Sequence, residues 1–266
     1  MKKILCFAVI GAALSGALPA FAQSEEFAQL APSGAAGKDV NFSLGAALLS
    51  LPRYTGSDQR RLAEYPLFDA QWKNGAFVSL VSGLGYNLSK DPTIQYGLRV
   101  TVEPSRDESR SGRLHGLGDV DAALEPGVFF NYVPSANYAL VSSLRYGSGV
   151  DRNGLQLSLG GRYTTALNNK HRLSATLDAS WANSNYQQSY FGVTATQAAA
   201  SGYAQFTPSS GITDIRLGAN WNWSIDSKWS LITGASVKHL VGDSARSPFV
   251  DQKNPVSVFS AASYSF

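Results

Sequence analysis

Residues 94–103 read Ile-Gln-Tyr-Gly-Leu-Arg-Val-Thr-Val-Glu, and the fold turns on how this stretch is read. Ile94, Tyr96, Leu98, Val100 and Val102 alternate with Gln95, Gly97, Arg99, Thr101 and Glu103. A β-strand turns successive side chains to opposite faces, so one row can meet hydrocarbon and the other cannot. That is the segmental signature of a strand in a transmembrane β-barrel, weak singly and persuasive in succession.

The pattern recurs along the chain. Leu155, Leu157, Leu159 and Tyr163 alternate with Gln156, Ser158, Gly160 and Arg162, and Leu173, Ala175, Leu177, Ala179 and Trp181 with Arg172, Ser174, Thr176 and Asp178. Ile215, Leu217, Ala219, Trp221 and Trp223 oppose Asp214, Arg216, Gly218 and Asn220. Several apolar rows finish in Tyr or Trp, as interfacial girdles do. The last segment sets Val256, Val258, Ser260, Ala262, Tyr264 and Phe266 on one face and ends on an aromatic ring. It resembles the terminal strand by which outer-membrane proteins are recognised for assembly, with Tyr264 and Phe266 as the signal; the plainer reading is that Phe266 merely ends a buried strand.

Alternating segments fall near 39–51, 62–72, 76–88, 93–103, 122–132, 138–147, 154–166, 171–182, 212–223, 229–241 and 256–266. Eleven is an awkward number, because a single-chain bacterial barrel has an even strand count. The expectation is an all-β, antiparallel transmembrane barrel of roughly 12 strands, within about 10–14. Counting back from the C-terminus, the turns near 89–91, 133–137, 167–170 and 224–228 are short and the connections 104–121, 183–211 and 242–255 are long. Short turns should be periplasmic and long loops external, which puts the parity error upstream of residue 92.

The N-terminus supports export. Lys2 and Lys3 precede an apolar run from Ile4 to about Leu18, and Ala20-Phe21-Ala22 supplies small residues for cleavage, which reads as a secretory signal peptide over 1–22. Cys6, the single cysteine, lies in that segment, so neither a disulfide nor a lipid anchor is expected in the mature chain. Residues 23–38, from Gln23 to Lys38, are rich in Ser, Glu, Ala, Pro and Gly and read as a flexible periplasmic segment ahead of the barrel, 39–266. Past the signal peptide no run approaches the roughly 18 apolar residues of a spanning helix. The localisation expected is the outer membrane of a Gram-negative bacterium.

The chain is 44% hydrophobic and 15% charged, against roughly a quarter charged in soluble domains. Its formal charge of +3 falls to +1 without Lys2 and Lys3, which argues against a nucleic-acid partner. The lumen-facing charges expected from the alternation are Arg99, Arg145, Arg162, Arg172, Arg216 and Lys238 against Glu103, Glu125, Asp178 and Asp214. They form either a paired structural network or the lining of a narrow pore with a weak preference for anions. No catalytic, cofactor or metal site is expected. Of the three histidines, His115 lies in a Gly-rich loop, His171 at a turn before a strand and His239 near a strand end, none in a hydrolase motif.

Loop motifs resemble those of one family, MipA/OmpV. They are Tyr54-Thr55-Gly56-Ser57-Asp58, Leu117-Gly118-Asp119-Val120, Tyr190-Phe191-Gly192-Val193-Thr194 with Gln197 and Ser201-Gly202, and Gly242-Asp243 leading into Ser247-Pro248. Each is ordinary turn chemistry alone; their order across the chain makes the match. Arg246 stands where an acidic residue is expected. The resemblance implies a non-catalytic outer-membrane scaffold that tethers a murein-cleaving lytic transglycosylase and a bifunctional murein polymerase. A narrow small-solute channel is the alternative, and a surface adhesin or receptor a third class. The aromatics of 183–211, Tyr186, Tyr190, Phe191, Tyr203 and Phe206, either anchor a ligand outside the cell or, the preferred reading, fold back to plug the mouth.

Overall fold

The computed structural model describes residues 39–266. The expected signal peptide, 1–22, and the periplasmic segment, 23–38, lie outside the described residues.

Twelve antiparallel strands close into one barrel in which each strand pairs with its sequence neighbours and the last pairs with the first. They are β1 (Val40–Pro52), β2 (Arg60–Trp72), β3 (Ala76–Ser79), β4 (Gly83–Asn87), β5 (Ile94–Glu103), β6 (Ala123–Tyr132), β7 (Tyr138–Ser148), β8 (Gly154–Ala166), β9 (His171–Ala182), β10 (Gly211–Ser224), β11 (Trp229–Leu240) and β12 (Val256–Ser265). The seam runs from Ser43↔Ser265 to Ser50↔Val258. Closure removes the unpaired edges that hydrocarbon cannot satisfy.

The alternation sorts as the physics requires. Leu98, Phe130, Leu140, Leu159, Leu177 and Leu217 stand exposed on the outer surface, while Thr101, Glu125, Ser143, Gln156 and Arg216 are buried within. Aromatic rings mark one end of the outer band: Tyr138 lies tilted against Tyr163 with centroids 5.0 Å apart, and Trp229 meets Tyr264 edge-on at 5.1 Å. Phe266 lies 5.0 Å from the ring of Phe42, and its N–H donates to the Phe42 carbonyl (3.0 Å). The short connections and the C-terminus share this turn end, and the long loops share the other, the loop end.

The stretch 76–88, one alternating segment by sequence, is two strands. β3 and β4 form a hairpin with register Ala76↔Tyr86 to Ser79↔Gly83. Ser79 makes the turn, its Oγ accepting from the N–H groups of Val81 (3.1 Å) and Ser82 (3.2 Å), a side chain standing in for a backbone turn. Gly83 follows at φ +86°, where a Cβ would lie 2.2 Å from the Val100 carbonyl oxygen. Apolar residues of both parities run through the turn, so alternation alone does not show the reversal. This hairpin is the missing strand, upstream of residue 92, and it restores the even count.

The inner wall has two characters. Ala47, Leu49, Leu51, Tyr65, Leu67, Val81, Phe259 and Ala261 form an apolar cluster on the inner faces of β1, β2 and β12 and the β3–β4 turn. The facing wall, β5 to β11, is polar and charged.

Candidate functional site: the lid and the lumen beneath it

The four sequence motifs, dispersed across the chain, meet at the loop end. Tyr54, Leu114, Leu117, Val193 and Phe249 pack into one buried cluster drawn from four loops. The Tyr54 hydroxyl donates to the Phe249 carbonyl at 2.8 Å, across 195 positions of sequence. Gly56, at φ +97°, turns its carbonyl to accept from Asp251 and Gln252 N–H (2.9 Å each). A Cβ there would strike Val250 at 2.6 Å, so the position admits only glycine without rearrangement. Ser57 is buried beside it, its Oγ accepting from Gln59 N–H, while Asp58 is exposed.

Two short helices occupy the longest loop, α1 (Ser184–Phe191) and α2 (Ala195–Ser201). Thr194 and Gln197 form a reciprocal capping box at the start of α2, and Gly202 ends it in the left-handed conformation. Gln197 Nε2 also donates to the Leu117 carbonyl (2.5 Å), tying α2 to the 104–122 loop. Phe191, Gly192 and Val193 are buried; Val193 makes an antiparallel bridge with Phe206, and Ser247 Oγ donates to the Phe191 carbonyl (2.7 Å). Pro248 sets up Phe249, which is fully buried. After Gly242 (φ +57°), Asp243 accepts from Ser209 N–H at 2.7 Å and pairs with Arg246. The residue that departs from the acidic expectation is thus the cation partner of Asp243.

In the 104–122 loop, Gly118 takes φ +67°, Asp119 Oδ1 accepts from Glu108 N–H (2.6 Å), and the Glu108 carboxylate accepts from Gly116 N–H (2.7 Å) and Gly118 N–H (2.9 Å). Those backbone donors, with His115 3.1 Å away, hold the Glu108 carboxyl below its ordinary range. Arg106 is the hub that sequence reasoning missed. It is buried over the Phe249 ring (5.4 Å) and donates to the carbonyls of Tyr190, Leu117 and Gly118 (3.3–3.5 Å). Burial lowers its pKa to about 10, which leaves it charged near neutrality.

Beneath the lid lies a buried charge network. Arg145 Nη1 reaches Glu103 (3.4 Å) and Glu125 (3.1 Å), its Nη2 donates to Gln156 Oε1 (3.2 Å), and Gln156 Nε2 donates to both carboxylates (3.2 and 3.1 Å). Tyr186 of α1 donates to the second oxygen of Glu103 (3.0 Å) and stacks on Tyr190 at 4.5 Å, whose hydroxyl donates to the Pro104 carbonyl. The lid is therefore latched to the barrel wall. Tyr186, Tyr190 and Phe191 all fold into the mouth.

The other charges lie apart from this network. Asp178 stands opposite Arg216 on one side and Gly160 on the other, and Arg216 stands opposite Lys238. Asp214 is buried near the lid, with Thr213 Oγ1 at 2.9 Å. Arg99 lines the turn-end cavity, Arg162 feels Asp178, and Arg172 is exposed at the turn end of β9. A cavity of about 90 Å³ remains between lid and network, lined by Arg61, Arg106, Arg216, Lys238, Glu103 and Asp214 among others. At the turn end a wider cavity of about 320 Å³ opens between Asp69, Gln71, Trp72, Phe77, Arg99 and Asn131. His171 stacks on Trp221 (5.5 Å) and His239 meets Asn254. Among the described residues no group of three or more His, Cys, Asp or Glu is placed to hold a metal.

Among solved structures the chain is similar to the NanC porin, with 8% identity over 84% of this chain and 98% of that one and a TM-score of 0.46. It is also similar to an outer-membrane channel of Pseudomonas putida F1, with 12% identity over 89% and 99% and a TM-score of 0.46. No curated protein matches it in sequence. A family model described as MltA-interacting protein MipA matches residues 44–266, nearly the whole barrel, and the chain belongs to that family of outer-membrane proteins.

Proposed function

We propose that this protein is a non-catalytic scaffold of the outer membrane that holds a murein-cleaving lytic transglycosylase and, with it, a bifunctional murein polymerase. The observation that carries the reading is the lid: four loops seal the loop end around Tyr54 and Phe249, latched by Tyr186 to Glu103. A barrel so closed serves as a fixed platform rather than an open pore. The matching family model is described as an MltA-interacting protein, which supports a partner of this kind, and the turn end, with its open cavity and short turns, supplies the partner face. In this reading residues 1–22 are removed as a signal peptide, and residues 23–38 are available to the same partners. Tyr264 and Phe266 serve as the assembly signal. A surface adhesin would hold its loop aromatics out to solvent; Phe191 and Phe249 are instead buried.

The test is affinity capture from solubilised envelopes with the refolded mature protein as bait, beside a control barrel of similar size. Retention of a lytic transglycosylase by this barrel alone is the expected result. Its absence, under conditions where weak complexes survive, overturns the scaffold. The surplus of lumen cations around the 90 Å³ cavity favours a second reading, a narrow anion-preferring channel. That reading requires single-channel conductance in a planar bilayer, and the scaffold requires its absence from the native barrel.

A further inference from the structure

The barrel wall is not equally tall all round. β2 pairs with β1 along its whole length, but with β3 only from Asp69 to Gln71. The last bond on that side joins Leu80 N–H to the Phe68 carbonyl. β4 likewise meets β5 no higher than Leu84↔Val100. Above the β3–β4 turn, residues 60–67 of β2 have no partner strand on that side among the described residues. Backbone groups alternate in direction along a strand, so those of Pro66, Glu64 and Leu62 point the same way as the Phe68 carbonyl, into the gap. Proline at 66 suits such an edge because it has no N–H to leave unpaired. The Arg53 guanidinium donates to the Arg110 carbonyl (3.2 Å) and bridges the gap at the loop end. The result is a window, bounded by β2, by the end of β5, by the turn at 80–82 and by that bridge.

Its outer rim carries Leu62, 74% exposed, and Leu80, 37%, with Pro66 and one charged residue, Glu64, also exposed on β2. Its inner sill is the apolar cluster, with Tyr65, Leu67 and Val81 closest to the opening. Behind it is the 90 Å³ cavity, whose lining includes Arg61 on one flank of the window and Glu103 on the other. Seven Arg and Lys line that cavity against two carboxylates, Glu103 and Asp214. Lys238 is 8% exposed, stands directly opposite Arg216 in the sheet, and among the described residues its ammonium has no hydrogen-bond or ion-pair partner. Arg61 is half-buried; its Nε is buried without a hydrogen bond and, among the described residues, its guanidinium meets only the Tyr65 hydroxyl at 3.4 Å. A buried cation without a counter-charge is costly, and like charges directly opposed add to the cost. An anion in the cavity relieves both.

We propose that the window and the cavity form a binding site for an amphiphile with an anionic head group, phosphate or carboxylate, which enters from the lipid layer. The head group sits between Arg61 and Lys238, and the acyl chain passes over Val81 and Leu67 to the rim at Leu62 and Leu80. The lid stays closed, because the ligand does not pass through it.

The experiment is calorimetric titration of the full mature barrel in an uncharged detergent, with dodecyl phosphate and inorganic phosphate as separate probes. Dodecyl phosphate should bind one to one and at least tenfold tighter than inorganic phosphate. Lys238→Met and, separately, Arg61→Met should each weaken it about tenfold or more, with heat-modifiable migration on a gel retained as the check on folding. Equal affinity for the two probes overturns entry from the lipid, since the site would then be an anion site reached from water. No binding of dodecyl phosphate, or undiminished binding by both folded variants, overturns the site itself.

Discussion

At the loop end the connections are long and buried into one another: Tyr54, Leu117, Val193 and Phe249 come from four loops and share one dry cluster. At the turn end the connections are short, the rings face outward, and the lumen opens between Asp69, Trp72 and Arg99. The same alternating wall thus carries a folded cap on one side and an open vestibule on the other. The wall needs only apolar and polar rows, which many sequences supply. The cap needs particular residues at particular places, such as a glycine at 56 that leaves room for Val250. The loop motifs singled out in the sequence therefore gather where loops pack, and generic barrel features where strands do.

The largest effect should come from the network that joins cap to wall. Arg145→Met leaves Glu103 and Glu125 facing one another without their cation. Removing one partner of a buried ionic cluster costs about 3–5 kcal/mol. Denaturant unfolding in detergent micelles should show a loss of that size, with the midpoint lowered at unchanged slope. A change below about 1 kcal/mol would mean that Gln156 and Tyr186 satisfy the two carboxylates without the guanidinium. A substitution at the turn end, Arg172→Met, should leave the midpoint nearly unmoved, because that side chain is exposed.

Next is the cap alone. Phe249→Ala empties the centre of the lid cluster, where the ring is fully buried and carries Arg106 above it. Large-to-small changes of this kind cost about 3–5 kcal/mol, here spent on a subdomain rather than the barrel. Limited proteolysis should cut within 183–210 while heat-modifiable migration of the barrel persists. If the whole barrel loses its shift together with the lid, cap and wall are one cooperative unit and the contrast between the two ends fails.

What could be read from sequence follows the same division. Alternation is a local property of a strand, so Ile94 to Glu103 or Leu173 to Trp181 announce their faces without any knowledge of their neighbours. The β3–β4 hairpin escaped because Phe77, Val78, Leu80 and Val81 are apolar on both parities and Ser79 makes a turn without Pro, Asn or Asp. The motif loops could be found but not assembled, since nothing local says that Tyr54 reaches Phe249 or that Gln197 reaches Leu117. Arg106 was invisible for the same reason: it sits in a loop and its partners are backbone carbonyls, which carry no signal of residue type. The inward charges were legible as a row, yet their division into a network around Arg145 and a separate row of Asp178, Arg216 and Lys238 depends on register between strands.

The smallest effect separates the two ends by pH. In the cap, Glu108 is held ionised by Gly116 and Gly118 N–H, and Asp243 by Ser209 N–H and Arg246, so both have depressed pKa values. A group whose folded pKa is depressed contributes stability that is present above its unfolded value, about 4 for these carboxyls, and lost as pH falls through the folded value. Acid should therefore loosen the 104–122 and 241–255 loops while the strands, held by backbone ladders, stay closed. Pepsin digestion stepped from pH 5 down to pH 2 should open cleavage in those loops below pH 4. Glu108→Gln should shift the onset in the 104–122 loop, leaving the Asp243 side unchanged. Asp226 at the turn end is depressed in the same sense by Trp229 and Lys228 N–H, but it closes a tight turn rather than a packed cap. Its protonation should expose no cleavage site, and cuts at 225–228 appearing together with those in the lid would show that acid acts on the barrel as a whole.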